Sequence, residues 1–350
     1  MAKEDNIKIL RQVLITRFSA LGDVAMTIPI VYSVCEANPK VNFILATRKA
    51  HSGVFVNSPS NLIVLGIDLD NYKGPWGVIR LANNLHHRYN FDAMADLHDV
   101  LRTKIIRTTL KCKGVKVASI DKGRNEKRQV TSGKSRVQLI STHARYRAVF
   151  NKLGLNSGEE FMSIYRDGEL PDSPIIPKKE DGDLWIAITP FAKLQGKEYP
   201  LEQMQLVISE LSRWERCTIF LMGGGEKDRK ALKPITERYS NTVSLPHIKH
   251  TFADELALLA RCNVMVTMDS ANMHLASLVG LPVVSVWGAT HPACGFLGWH
   301  QALRDTVQLD LECRPCSVFG NKKCRFDDYH CLRDISPELI IDKVKTVLQR

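Results

Sequence analysis

VTMDSANMHLASLVGLPVVSVWG, residues 266–288, reads as strand, loop, helix and strand in that order. The first apolar run ends at Thr267, and Asp269, Ser270, Ala271 and Asn272 supply hydroxyl, amide and backbone groups where a helix begins. That helix continues through His274, Leu275, Leu278 and Val279 until Gly280 and Pro282 stop it, and VVSVWG (283–288) is the next strand. Alternation of this kind is the rhythm of an α/β domain. Helix starts carry unpaired N–H groups that favour phosphate, so residues 269–272 form a candidate anion site. The next strand also ends in a polar, glycine-bearing loop, VWGATHP. Two such loops in succession favour a ligand cleft, although either histidine alone reads equally as structural.

The same rhythm extends outward. LWIAIT (184–189), CTIFLMG (217–223) and VMVT (264–267) read as strands, with helical PLEQMQLVISEL and DELALLARC between them. The first half opens with KILRQVLITR (8–17), whose apolar content suits a buried parallel strand. Val24, Ile28, Val31 and Cys35 follow at helical spacing, with Pro29 expected to bend that element or mark an irregular turn. VNFILA (41–46), LIVLG (62–66), FDAMADL (91–97) and VKVASI (115–120) are further strands. PDSPIIPKKEDGD (171–183), rich in proline and charge, reads as a linker. The expected organisation is therefore a first domain over 1–170, a linker over 171–183 and a second domain over 184–335. A helix over 336–350, started by Ser336 and Pro337, carries an apolar stripe whose docking partner local sequence does not identify. The fold class is α/β: two domains in tandem, facing each other across a cleft.

Composition narrows the classes. The chain has 350 residues, 44% hydrophobic and 24% charged, enough for two globular cores. No apolar run nears bilayer length, and the amino end lacks a secretory pattern. A cytoplasmic protein with mostly reduced cysteines is expected. The net charge of +11 favours anionic partners without choosing among nucleic acid, phosphorylated glycan and membrane surface.

Several constellations could carry chemistry. Ser19-Ala20-Leu21-Gly22-Asp23 puts a carboxylate at the turn after the first strand, where open α/β sheets bind ligands. Asp23 and Ser19 read equally as helix caps, and the single Gly22 is not a dinucleotide fingerprint. Gly223-Gly224-Gly225 allows close backbone approach or a tight turn, and Glu226 could accept from ribose hydroxyls or be plain surface charge. The stretch 122–147, with Arg124, Arg128 and Arg136, reads as a mobile cationic loop of the first domain suited to phosphate or carboxylate. Arg102 is a further candidate acceptor contact. Cys313, Cys316, Cys324 and Cys331 have spacing that could hold a structural zinc; unligated packing or redox-sensitive thiols are the alternative.

Taken together, SALGD (19–23), GKEYP (196–200), GGGE (223–226) and DSANMHLA (269–276) resemble the motifs of the ADP-heptose:lipopolysaccharide heptosyltransferase family. These are inverting bacterial glycosyltransferases with two Rossmann-like domains of the GT-B type, and the resemblance spans the chain. It implies Asp23 as catalytic base, Lys197 as the donor-phosphate lysine and Glu226 as a nucleoside contact. Gly224, Asp269, Ser270, Ala271 and His274 would bind the donor, and Ser19, Gly22, Arg102, Arg124, Arg128 and Arg136 the acceptor. Ala271 stands where the family usually has glycine, Tyr199 where it has tryptophan, and Phe191-Ala192 where Gly-Ala is common.

The resemblance further implies an ADP-sugar donor, ADP-heptose above all, and an anionic lipid-linked glycan acceptor. It implies transfer of heptose or a related sugar to a lipopolysaccharide core with inversion. Lys197 and helix-start N–H groups would stabilise the departing diphosphate, with no metal required for catalysis. Asp23 would take the acceptor proton after the domains close. Peripheral association with the inner face of the inner membrane follows as an expectation. A nucleotide-sugar epimerase of similar fold and a basic nucleic-acid-binding protein are the rival readings, but the chain has no recognisable nucleic-acid reader motif.

Overall fold

The computed structural model describes residues 10–135, 137–165, 168 and 170–350, so Arg136 and the first two residues of the expected strand 8–17 lie outside the described residues. The chain divides into two compact units. One comprises the described residues through Lys122 together with His143–Phe161, the other Gly123–Thr142 and the described residues from Met162 onward.

The first unit holds five strands: β1 (Gln12–Thr16), β2 (Asn42–Arg48), β3 (Leu62–Ile67), β4 (Ala93–Asp96) and β5 (Lys116–Ser119). They pair in the order β3-β2-β1-β4-β5, all parallel. Val13, Leu14 and Ile15 of β1 are wholly buried, because helices cover both faces of a parallel sheet and leave no polar side to alternate with. Leu14, Ile44 and Met94 share one core with Leu81 and Ile106 from covering helices. The pattern from Val24 to Cys35 is two helices, so of the two expectations for Pro29 the turn holds and the bend does not. Leu21–Ala25 ends in a turn, and Ile28–Ala37 restarts with Pro29 in its first turn, where the missing N–H leaves no bond unmade.

The second unit holds β6 (Leu184–Ile188), β7 (Cys217–Leu221), β8 (Thr242–Ser244), β9 (Val264–Met268), β10 (Val283–Val286) and β11 (Thr306–Val307). Their order is β11-β10-β9-β6-β7-β8, again parallel throughout. The short strands β8 and β11 were not anticipated from the sequence. The C-terminal helix Pro337–Leu348 belongs to this unit: Ile340, Ile341, Val344 and Val347 enter the same core as Ile186, Val266 and Val286. Ser336 occupies its N-cap position, but its side chain makes no capping bond.

The division differs from the expected boundaries in two places. Gly123–Thr142 lies with the second unit and is not a loop of the first. Arg124–Thr131 is a helix with Lys127 and Val130 buried, and the Lys127 ammonium lies 4.0 Å from the Phe296 ring centroid. Leu139 N–H donates to Ala293 O (2.9 Å) and Thr142 N–H to Gly295 O (2.8 Å). The described residues of 162–170, expected in the first domain, also fall in the second unit, where Ile164 N–H donates to Leu278 O at 2.9 Å. The proline-rich stretch 171–183 has no helix or strand and is pinned to the second unit. Ser173 Oγ donates to Asp254 (2.6 Å), and Lys179 Nζ donates to Arg261 O (2.6 Å) and Asn263 Oδ1 (2.9 Å).

Candidate active site

Both sheets reverse direction beside their first strand. In the first unit the chain runs from β1 to β2 on one side and returns to β4 on the other; in the second it runs from β6 to β7 and returns to β9. Loops diverge at such a switch point and leave a crevice at the carboxyl ends of the strands, which is where open α/β sheets bind ligands.

In the first unit the switch point presents Asp23 and His98. Asp23 lies in the first turn of Leu21–Ala25, and its Oδ2 accepts from Ala20 N–H at 3.2 Å. The capping reading therefore holds as geometry, but the same oxygen also pairs with Arg17 NH2 at 2.7 Å. Arg17 is buried, donates to Leu97 O at 2.8 Å and lies 6.0 Å from the Tyr146 ring centroid. Tyr146 Oη in turn donates to the Asp23 carbonyl at 3.3 Å, so the turn is held from two sides. Across the switch point, His98 Nδ1 accepts from Phe18 N–H (3.4 Å) and Nε2 lies 3.4 Å from Ser19 Oγ. Burial, with the cations of Arg17, Lys122 and Arg102 adding to it, pushes the His98 imidazole down to about 3. The ring is therefore neutral through the physiological range.

Asp96, wholly buried at the end of β4, organises this corner. It accepts from Thr16 Oγ1 (3.3 Å), from the N–H groups of His98 and Asp99 (3.0 Å each) and from Arg107 (3.2 Å). His98 was not among the expected site residues. The signal was present in ADLHD (95–99), a polar, charged run directly after an apolar strand.

In the second unit the switch point presents Lys197 and Asp269. Lys197 ends the short turn Gln195–Lys197 after β6, and Asp269 follows β9; their charged groups meet at 2.8 Å. Ser270 caps the helix Ala271–Leu278, its Oγ accepting from Asn272 N–H at 3.3 Å and lying 3.1 Å from Thr267 Oγ1. Asn272 Nδ2 reaches back to Thr189 Oγ1 at 3.1 Å and ties the two loops together. His274 is buried within that helix. After β7, Gly225 adopts φ +90° and opens the helix Glu226–Arg238, while Gly224 N–H donates to Asp228 at 2.8 Å. Glu226 pairs with Arg229 and, at 3.9 Å, with Lys230.

The expected residues thus fall into two groups. Lys197, Gly224, Glu226, Asp269, Ser270, Ala271 and His274 all lie in the second unit, at or beyond strand carboxyl ends. Ser19, Gly22, Asp23 and Arg102 lie in the first. Arg124 and Arg128 are exposed on the helix Arg124–Thr131 of the second unit, not on a loop of the first.

The four clustered cysteines are free thiols, and among the described residues no group of three or more His, Cys, Asp or Glu side chains is placed to hold a metal ion. The half-buried Arg314 cation is an electrostatic neighbour of Cys313, Cys316 and Cys331 and would oppose a dication there. Burial pushes the Cys331 thiol up to about 11, while backbone N–H groups hold Cys324 below the usual thiol range.

One Rossmann-like unit gathers an ammonium, a hydroxyl and a helix start at its switch point, the other carries a carboxylate at its own, and the class of protein is that of the glycosyltransferases. The chain belongs to glycosyltransferase family 9, the heptosyltransferases, whose sequence profile matches residues 78–330. It is 24% identical over 336 residues to lipooligosaccharide heptosyltransferase 2 of Campylobacter jejuni serotype O:2, covering 94% of this chain and 96% of that one. Among solved structures, a family 9 glycosyl transferase from Veillonella parvula superimposes with a TM-score of 0.71 at 18% identity, covering 97% of both chains. E. coli heptosyltransferase WaaC with ADP superimposes with a TM-score of 0.66 at 15% identity, covering 96% of this chain and 99% of that one. Family membership decides against the epimerase and nucleic-acid readings. Among the described residues no helix is long and apolar enough to cross a membrane.

Proposed function

We propose that the chain transfers heptose from ADP-heptose to a lipid-linked lipopolysaccharide core, with Asp23 as general base and Lys197 as the main cation on the leaving diphosphate. The acceptor hydroxyl oxygen attacks the anomeric carbon from the face opposite ADP, and the carbon–oxygen bond to the diphosphate breaks. ADP leaves with the bonding electrons, and the acceptor proton passes to the Asp23 carboxylate. One displacement inverts the anomeric centre. The ammonium of Lys197 and the N–H groups that open Ala271–Leu278 meet the charge that grows on the diphosphate, the term such sites exploit most. This donor set can serve that purpose without a metal ion. Glu226 faces the ribose, and the cations about Asp23 suit an anionic acceptor that brings the protein to a membrane surface as a peripheral partner.

The observation that carries the reading is the Lys197–Asp269 pair at the switch point, beside a helix start. The Asp269 carboxylate keeps the ammonium aimed into the crevice until an anionic ligand competes for it. Titration calorimetry with ADP, UDP and GDP tests the donor: ADP is expected to bind tightest, and Lys197→Ala to weaken it on the order of tenfold or more. Equal affinity for all three nucleotides removes the assigned base. Undiminished ADP binding by Lys197→Ala removes the lysine from its role.

A further inference from the structure

We propose that the cysteine-rich segment 313–331 is a wall that fixes the Lys197 side chain, with Gly320 as the positioning residue in contact with it. The inference rests on the reading of Lys197 as the diphosphate-binding lysine and adds how the fold holds that lysine in place. Gly320 is buried at φ +77°, and a Cβ built on it would stand 2.7 Å from Lys197 Cγ and 3.2 Å from Lys197 Cε. The aliphatic stem of the lysine therefore lies directly on the Gly320 backbone, where only glycine leaves room.

The backbone that carries the lysine is seated in the same way. A Cβ on Gly196 would meet Gly320 O at 2.9 Å and Ala289 Cβ at 3.0 Å. Ala289 N–H donates to Gly196 O at 2.8 Å, while Ala289 O accepts from Cys316 N–H (3.1 Å) and Ser317 N–H (3.2 Å). Three loops, after β6, after β10 and from the cysteine segment, are thus joined by consecutive backbone bonds. Ser317 is buried and shapes the turn into Gly320: its Oγ accepts from Gly320 N–H at 2.9 Å and donates to Asn321 Oδ1 at 3.1 Å.

Arg314 anchors the segment from behind. Its guanidinium donates to Gly288 O and Leu309 O, to Thr290 O at 3.0 Å and to Gln308 Oε1 at 3.2 Å. Carbonyls on both sides of Ala289 are therefore held by one cation, and Ala289 holds Gly196. A lysine has a flexible four-carbon stem that would otherwise sample many rotamers, so a rigid surface beneath it preorganises the ammonium for the diphosphate. The segment singled out by its cysteines then works through its backbone and one glycine.

A double-mutant cycle tests this, with calorimetric ADP affinity measured for the parent, Gly320→Ala, Lys197→Ala and the double variant. Gly320→Ala is expected to weaken ADP on the order of tenfold, and to add nothing in the Lys197→Ala background, where the stem that the methyl displaces is gone. A fall in melting temperature should persist in the Lys197→Ala background, because alanine is strained at φ +77° whatever faces it, and should be smaller there because the clash with the lysine stem is gone. Should alanine prevent folding, Gly320→Asn, which tolerates the left-handed region better, enters the same cycle. ADP affinity of Gly320→Ala within twofold of the parent overturns the inference. So does an equal loss in both backgrounds, which marks a general disturbance. If Lys197→Ala alone binds ADP as the parent does, the lysine reading itself fails and the positioning role falls with it.

Discussion

Asp23 holds its turn, and one substitution separates that duty from the proposed role as base. Its carboxylate accepts the Ala20 N–H and pairs with Arg17, which any group of that shape could partly reproduce; proton acceptance requires the carboxylate. Asp23→Asn keeps the size and an oxygen for the Ala20 N–H but deprives the buried Arg17 cation of its counterion, so the melting temperature should fall while ADP affinity changes little. Turnover at saturation with the cognate acceptor should fall about 10²–10⁴-fold, the usual consequence of losing a general base. Turnover within threefold of the parent leaves only the cap. His98 makes a second, independent prediction. Its folded-state pKa lies far below the roughly 6.5 of an unfolded histidine, so below that pH the unfolded chain binds a proton that the folded chain refuses. The contribution is fully present above pH ~6.5 and is lost as the pH falls toward the folded value. Melting temperature should therefore drop between about pH 6.5 and 4.5, and His98→Gln should flatten that slope. It should not abolish it, because burial also lowers His51, His86 and His291. An unchanged slope in His98→Gln contradicts the burial account. Asp23 was legible in the sequence because it falls at a strand end. His98 was harder to see because its importance comes from β4 lying beside β1, a neighbour relation that no local spacing encodes.

At the scale of elements, what the sequence disclosed follows from length and apolar content. Strands four residues long or longer show as apolar runs, and the eight such runs after the first became β2 to β7, β9 and β10. β8 and β11, three and two residues long, are too short to stand out from a loop. Gly123–Thr142 misled for a different reason. Its arginines and lysines read as a mobile cationic loop, yet Lys127 is buried under Phe296, a desolvated cation held by an aromatic face. The C-terminal helix had a legible stripe and an illegible partner, since an apolar face specifies that it is buried and not where. Its docking on the second core makes a prediction. Ile340 is wholly buried there, and Ile340→Ala should cost about 2–5 kcal/mol of stability, as truncations of buried aliphatics do. Denaturant titration measures the loss, and ADP binding well below the transition should survive. A loss under about 1 kcal/mol would mean that the helix packs loosely, since surface substitutions fall in that range.

At the scale of the whole molecule, the two halves were legible as a repeated rhythm, and each proved to be a parallel sheet with its own switch point. The exchange of Gly123–Thr142 into the second unit was not, because it depends on contacts with Ala293, Gly295 and Phe296, more than 150 residues further along the chain. The division predicts where the donor leaves its mark. Four of the five tryptophans, Trp185, Trp214, Trp287 and Trp299, belong to the second unit, while Trp76 in the first is 82% exposed and reports little on unfolding. Tryptophan emission therefore follows the unit that carries Lys197 and Asp269. A ligand bound only to the native state stabilises it by about 2.7 kcal/mol at a hundredfold excess over its dissociation constant. ADP at that concentration should raise the tryptophan-detected midpoint in the parent and in Asp23→Asn alike, and should not do so in Lys197→Ala. Hydrogen exchange locates the effect independently. Slowed exchange is expected at the carboxyl ends of β6, β7, β9 and β10 and at the start of Ala271–Leu278, where the proposed donor site places the diphosphate. Protection centred instead on the ends of β1 and β4 would place ADP at Asp23 and exchange the roles of the two units.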